Sequence, residues 1–277
     1  MISKKDIEAF QEKNRILIKG DDFIYLLPHP KLRDWISNYT VTFPHRNMMA
    51  EDYTVIPHGC ATLVFYIDDQ GFHSDLFGPL TKPTKVGNKA NNCDMIFIVE
   101  FQPAGLFILV NIKQKELSDR VVPFETIDPE LNKLISRIII NSDTLHELIT
   151  TINKLFLLNQ NNDCPSELKQ AIKKIIDNIG NKSIRDLSNE VSYSERQLSR
   201  IFEQYLGMNI KSFSRLVRVN KAIRLMYDPN NSITDICDSS GFYDLPHFIH
   251  DFKAVCGITP LEYRNNMSDF YSEIAKF

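Results

Sequence analysis

Cysteine is sparse, tryptophan occurs once and long apolar runs are missing, and each shortage narrows what this chain can be. The five cysteines (Cys60, Cys93, Cys164, Cys237 and Cys256) are odd in number and scattered, with no CxxC pair. That argues against a disulfide framework or a zinc ribbon and for reduced thiols in a cytoplasm. No apolar stretch reaches the roughly 20 residues of a membrane-spanning helix, and the opening Met1-Ile-Ser-Lys-Lys-Asp-Ile-Glu has no signal-peptide core. The GxSxG elbow, the phosphate loop, the GxGxxG fingerprint and HExxH are all absent, so neither an enzyme nor a cofactor is expected. His45, His58 and His73 lie among acidic residues but without metal-ligand spacing, and they read as loop histidines. A strong charge of either sign is missing too. From Ser166 onward 15 Lys and Arg face 14 Asp and Glu, which predicts modest nonspecific affinity for any polyanion.

What the chain does have is length for two ordinary domains, 277 residues, with the 43% hydrophobic and 24% charged content of a globular protein. Near the C-terminus one pattern occurs twice. The first copy runs Ser183-Ile-Arg-Asp-Leu187, then Ser192-Tyr-Ser-Glu-Arg-Gln-Leu198-Ser-Arg-Ile-Phe202, then Gly207. The second runs Ser232-Ile-Thr-Asp-Ile236, then Gly241-Phe-Tyr-Asp-Leu-Pro-His-Phe248-Ile-His-Asp-Phe252, then Gly257. The serines are 49 apart and the phenylalanines and final glycines 50 apart, which assigns one added residue to the start of the second copy's last helix. A helical hairpin of this spacing is unspecific alone; two in register are a specific signal for a duplicated helix-turn-helix.

Each position has a physical task. Ser183, Ser232 and Ser194 are N-caps, and Asp186 and Asp235 complement the helix dipole. Gly241 supplies positive φ for the turn, where the first copy has Ser192 and a more strained geometry is expected. Leu198, Ile201 and Phe202 face inward, leaving Arg196, Gln197, Ser199 and Arg200 outward near a helix N-terminus, where base edges are met in a major groove. Arg218, Lys221 and Arg224 recur at three-residue steps along a connecting helix, as either a phosphate-facing row or a solvated face.

From about Ile184 to Arg264, and above all over Gly241-Phe-Tyr-Asp, His247-Phe-Ile-His-Asp-Phe252-Lys and Gly257-Ile-Thr-Pro-Leu-Glu-Tyr-Arg264, the chain resembles the DNA-binding domain of the AraC/XylS family of bacterial transcription regulators. The resemblance implies seven helices, two helix-turn-helix units at 183–206 and 232–256, and a connecting helix from Ile210 to about Tyr227. It places the base-reading positions on Arg196, Ser199 and Arg200, and near Leu245, Pro246, His247, Ile249 and His250. Gln197, Arg218 and Lys221 complete the expected DNA-binding set, with double-stranded operator DNA as partner. RNA polymerase, a small-molecule effector and a second copy of the chain in a homodimer are further implied partners, and no membrane is.

The first 125 residues read mainly as short strands between Gly, Pro, Asn and Asp turns: Ile16 to Lys19, Phe23 to Leu27, Tyr39 to Phe43, Tyr53 to Ile56, Ala61 to Ile67 and Met95 to Phe101. Short helices are expected over Pro30 to Asn38 and from Gly105 to Ile112. The whole is therefore α+β, with a strand-rich barrel or sandwich (15–127) and a helical segment (129–158) in an N-terminal domain of residues 1–158. A polar linker (159–166) and an all-α domain (167–277) follow. In the helical segment Leu145, Leu148, Ile149, Ile152, Leu155 and Phe156 form one stripe, which either packs on its own domain or pairs two chains. Pro57-His-Gly-Cys, Gly78-Pro-Leu-Thr-Lys-Pro83, Phe101-Gln-Pro-Ala-Gly105 and Arg120-Val-Val-Pro123 resemble poorly characterised N-terminal domains of the same family. That likeness implies a regulatory domain that binds an effector or, alternatively, a protein partner.

Overall fold

A computed structural model describes residues 1–45, 49–160 and 162–265. Residues 161 and 266–277 of the expected linker and C-terminal domain therefore lie outside the described residues. A short helix α1 (Lys4–Ala9) leads into β1 (Ile16–Lys19), β2 (Phe23–Leu26), β3 (Ile36–Thr42), β4 (Thr54–Val55), β5 (Thr62–Asp68), β6 (Gly71–Phe77), β7 (Thr84–Lys85) and β8 (Met95–Phe101). Helix α2 (Gly105–Leu109), β9 (Val121–Pro123), α3 (Pro129–Asn141) and α4 (Leu145–Leu158) close the first part. Seven strands form one antiparallel sheet in the order β1-β2-β3-β8-β5-β6-β9, and β4 pairs with β7 in a separate ribbon. Seven helices follow among the described residues: α5 (Ser166–Asp177), α6 (Ile184–Glu190), α7 (Glu195–Leu206), α8 (Ile210–Met226), α9 (Ile233–Ser239), α10 (Leu245–Cys256) and α11 (Pro260–Asn265). The fold is α+β, a strand-rich part followed by a helical one.

Alternation along the strands divides the sheet into two unlike faces. Tyr39, Phe65, Phe97 and Val99 point to one face, where they bury against α3, α4 and Phe124 in the first hydrophobic core. Helix α4 is fixed there by Phe156, whose ring lies 6.3 Å from Tyr39, and by Asn153, whose Oδ1 accepts from the Tyr39 hydroxyl at 3.1 Å and from the His29 amide at 2.9 Å. The stripe on α4 is thus interior: Leu148, Ile149, Ile152 and Phe156 are fully buried. Self-association through that stripe is excluded, because the sheet already occupies it.

The expected helix over Pro30 to Asn38 is corrected. Only Pro30–Leu32 makes a helical turn, and Ile36–Thr42 is the interior strand β3. Its run Tyr39-Thr40-Val41-Thr42 is β-branched and aromatic, and pairing with both β2 and β8 outweighs the helical spacing of Leu32, Trp35 and Ile36. Strands β6, β7 and β9 lie outside the expected set. Gly71–Phe77 follows the expected turn and pairs with β5 along its whole length.

The second hydrophobic core is made by α5 to α10, yet it also takes in Ala104 and Ile108 from around α2. Phe107 meets Tyr205 of α7 with ring centroids 4.4 Å apart, and Lys169 of α5 stands 4.0 Å over the Trp35 ring. The connecting segment is tied down as well. Asn162 donates to the Ile108 carbonyl at 3.3 Å, and Cys164 is buried in the second core.

Truncating Leu148 to Ala is expected to cost about 2–5 kcal/mol of stability, since a wholly buried leucine would leave a cavity against the sheet. Urea unfolding followed by circular dichroism reads this directly. Leu148→Glu should give an unfolded chain rather than a folded monomer; a folded monomer derived from a dimer would return the stripe to an interface.

Candidate nucleic-acid interface

The two helix-turn-helix units are built from the same caps and turns. Ser183 accepts from the Asp186 amide and Ser232 from the Asp235 amide, both at 3.1 Å, opening α6 and α9. In the two turns Ser192 has φ 58° and Gly241 φ 74°, so the serine adopts the left-handed conformation of its glycine counterpart. Ser194 then accepts from the Gln197 amide at 3.2 Å to cap α7, and Asp244 from the His247 amide at 2.8 Å to cap α10. Both helices end on left-handed glycines, Gly207 and Gly257.

These caps relocate the added residue. Helices α7 and α10 have 12 residues each, so the second helix is not longer. The insertion lies in the turn, where Tyr193 alone separates Ser192 from the cap Ser194, while Phe242 and Tyr243 separate Gly241 from Asp244. Phe242 turns inward against Phe248, at 4.8 Å between centroids, and Tyr243 is left 92% exposed.

On α7, Arg196, Gln197 and Arg200 are exposed; Ser199 is half-buried, and its hydroxyl donates to the Glu195 carbonyl at 2.8 Å. On α10, Leu245, Pro246, His247, Ile249 and His250 are exposed. The histidines, however, turn ring nitrogens toward Asp251, a carboxylate only 3% exposed: His247 Nε2 lies 3.3 Å and His250 Nδ1 3.4 Å from it.

Asp251 also binds two arginines of α8, Arg215 Nε at 3.0 Å and Arg218 Nη2 at 3.5 Å. Arg218 Nη1 donates to the Gly180 carbonyl ahead of α6 at 2.8 Å, and its guanidinium lies 5.5 Å from the centre of the Phe242 ring. Burial works against the charge on Arg218, and the neighbouring carboxylate works to restore it. Arg218 is therefore engaged inside the helical part and does not project as a member of an exposed basic row. Lys221 is half-buried one turn further on, and Arg224 is exposed. The turn at Gly241 sits directly on Asn181, whose Nδ2 is 2.0 Å from where a Cβ would stand, so the second unit's turn packs on the segment that leads into α6.

The strand-rich part is bonded to the end of the first unit and approaches the end of the second through one pair of loops, 78–83 and 114–120. These loops are tied together by Thr81, whose amide and hydroxyl donate to Asp119 at 2.7 and 2.8 Å, and by the Gly78 amide, which donates to the Arg120 carbonyl at 2.9 Å. Ser118 donates to the Gly207 carbonyl, and Lys115 pairs with Glu203 at 2.5 Å, holding the end of α7. Pro83 lies 3.2 Å from where a Cβ on Gly257 would stand, at the end of α10. Where these loops begin and end, Phe77, Thr84 and Val121 line a cavity of about 390 Å³ between the β4–β7 ribbon and the second face of β5, β6 and β8. Its walls are mostly apolar, with the Tyr66 hydroxyl donating to Asp75 at 3.2 Å. Burial, then the Asp75 charge, push that phenol up to about 12.

Residues 187–266 match a family model described as a helix-turn-helix domain, and residues 25–123 match one described as a domain of unknown function (DUF6597). Over 86 residues the chain is 34% identical to the uncharacterized HTH-type transcriptional regulator YisR of Bacillus subtilis (strain 168), covering 31% of this chain and 30% of that protein. Over 100 residues it is 35% identical to the HTH-type transcriptional regulator ArgR of Pseudomonas aeruginosa, covering 36% and 30%. The chain thus spans less than a third of the length of these curated relatives. Among solved structures, a transcriptional regulator from Chromobacterium violaceum is 33% identical, with a TM-score of 0.35 over 37% of this chain and 93% of that one. ToxT from Vibrio cholerae O395 is 14% identical, with a TM-score of 0.46 over 80% and 96%.

Two outcomes follow from the buried hub and the strained turn. Asp251→Ala should lower stability by about 3 kcal/mol, because it strands a buried guanidinium without its partner. Chemical denaturation measures this, and a loss under 1 kcal/mol would make the hub incidental. Ser192→Gly should raise stability by about 1 kcal/mol, since glycine occupies the left-handed region without the side-chain clash.

Proposed function

We propose that this chain, whose residues 187–266 form a helix-turn-helix domain of the AraC type, is a sequence-specific DNA-binding transcription regulator acting in the bacterial cytoplasm. Residues 1–158 serve as the regulatory domain, 159–166 as the connection and 167–277 as the DNA-binding domain. The observation that carries this reading is the pair of helix-turn-helix units joined by α8, the first of which presents Arg196 and Arg200 with no hydrogen bond or ion pair among the described residues. Two open guanidiniums four residues apart near a helix N-terminus suit the acceptor pair on guanine in a major groove. Gln197 stands beside them for the same surface, Ser199 is half-turned inward, and Lys221 is assigned to backbone phosphate.

The cavity supports a small-molecule effector rather than a protein partner for the regulatory domain, because it is a concave, mostly apolar volume of ordinary ligand size with Tyr66 and Asp75 among its lining residues. Its walls continue into the loops that meet the ends of α7 and α10, so a ligand that repositions Phe77, Thr84 or Val121 acts on both units at once. RNA polymerase is the further partner that such a regulator serves.

Selection of bound fragments from random DNA with the full chain should yield one enriched sequence. On that sequence Arg196→Ala and Arg200→Ala should each lose about 1–3 kcal/mol of binding, and much less on random DNA. Equal losses on both would make these arginines phosphate contacts.

A further inference from the structure

We infer that the second helix-turn-helix unit reads thymine methyl groups by apolar contact, while the first reads base-edge acceptors by hydrogen bonding. The inference rests on the DNA-binding reading above and concerns how its specificity is divided.

The caps and terminal glycines set the two recognition helices in register with an offset of 50, so each outward position of α7 has a counterpart on α10. Arg196 corresponds to Pro246, Gln197 to His247, Ser199 to Ile249 and Arg200 to His250. At these positions the first unit offers two guanidiniums and an amide, whereas the second offers a proline, an isoleucine and two imidazoles.

Both imidazoles are also partly spent. Asp251 holds His247 through Nε2 and His250 through Nδ1, and it draws Arg215 and Arg218 to itself as well. At the outward positions of its first two turns, what α10 presents without such an engagement is apolar: Leu245, Pro246 and Ile249, all exposed, with the exposed Tyr243 in the turn before them and the exposed Lys253 toward the other end of the helix. Tyr243 stands out because the inserted residue frees it; its first-unit counterpart in the turn, Tyr193, is half-buried, with its hydroxyl donating to Glu167 at 3.4 Å.

An exposed apolar helix face has many conceivable partners. The one that fits here follows from continuity with the first unit, since the second unit's turn packs on the segment leading into α6 and the outward faces of two equivalent helices are taken to serve one DNA. In a major groove the apolar group that a base presents is the C5 methyl of thymine, and leucine, isoleucine and proline side chains suit it while making no use of the neighbouring acceptors.

The test uses the full chain and the sequence it selects from random DNA. Footprinting assigns the half covered by each unit, and thymines in each half are then replaced by deoxyuridine, which removes only the methyl. Each methyl removed from the second half should weaken binding about fourfold, the effect of exposing one buried methylene-sized group. The same replacement in the first half should change binding by less than twofold. Ile249→Ala and Leu245→Ala, at exposed positions that leave the core intact, should bind thymine and deoxyuridine sites alike. Unequal halves that show no deoxyuridine effect, or alanine variants that keep it, would overturn the inference while leaving DNA reading in place. Absence of any selected sequence would overturn the DNA-binding reading and the inference together.

Discussion

The carboxylate of Asp251 is the constraint on which the arrangement of the helical part depends. A charge this deeply buried is tolerated only when opposite charge and hydrogen-bond donors surround it, and here they come from two helices. Arg215 and Arg218 arrive from α8, His247 and His250 from α10 itself. Arg218 then extends the connection to the Gly180 carbonyl ahead of α6 and to the Phe242 ring in the second turn. An apolar replacement would hold these elements together at comparable cost, but it would not fix their rotation, because dispersion contacts are not directional. The ionic hub adds a directional tie to the apolar stripe of Phe248, Phe252 and Val255 that turns α10 toward the core.

The loop pair at 78–83 and 114–120 imposes a second constraint from the other side of the molecule. Gly207 and Gly257 must be glycines twice over: each has positive φ, and a Cβ on either would press into the loops. The terminal glycines that end two helices in repeat-equivalent places are therefore also the points at which the strand-rich part meets them. The cavity adjoins the ends of the same loops, which gives a ligand mechanical access to the two units without a separate transmission element. Such a ligand changes the relation between the units only to the extent that it binds one arrangement better than another.

Much of this was legible in the chain, and the failures have identifiable causes. The strands at Ile16–Lys19 and Met95–Phe101, the caps at Ser183, Ser194 and Ser232 and the left-handed turn at Ser192 follow from local chemistry, so short-range reading sufficed. The helix expected at Pro30 to Asn38 failed because an interior strand is decided by neighbours on both sides, which spacing within one segment does not contain. β6 escaped because Gly-Phe-His-Ser-Asp-Leu-Phe has no β-branched residue and owes its strand to pairing with β5. The α4 stripe gave the right face but not its partner. Arg218 was the least legible residue, since its role is set by Asp251 and Gly180, 33 and 38 positions away.

One buried position adds to the unlike chemistry of the two recognition helices. With the offset of 50, the counterpart of Asp251 is Ile201, which is buried in the second core. An isoleucine there offers nothing to the nitrogen groups around it, so Arg196 and Arg200 stay in solvent, where their full donor sets remain open. A carboxylate at the same place in the second unit attracts every donor within reach, two from its own helix and two from α8. The two histidines stay exposed but each has a ring nitrogen drawn toward that carboxylate, and leucine, proline and isoleucine stand beside them on the outer face. The buried difference between Ile201 and Asp251 thus adds to the outward substitutions at Pro246, His247, Ile249 and His250, and together they separate the two surfaces into a hydrogen-bonding one and a largely apolar one.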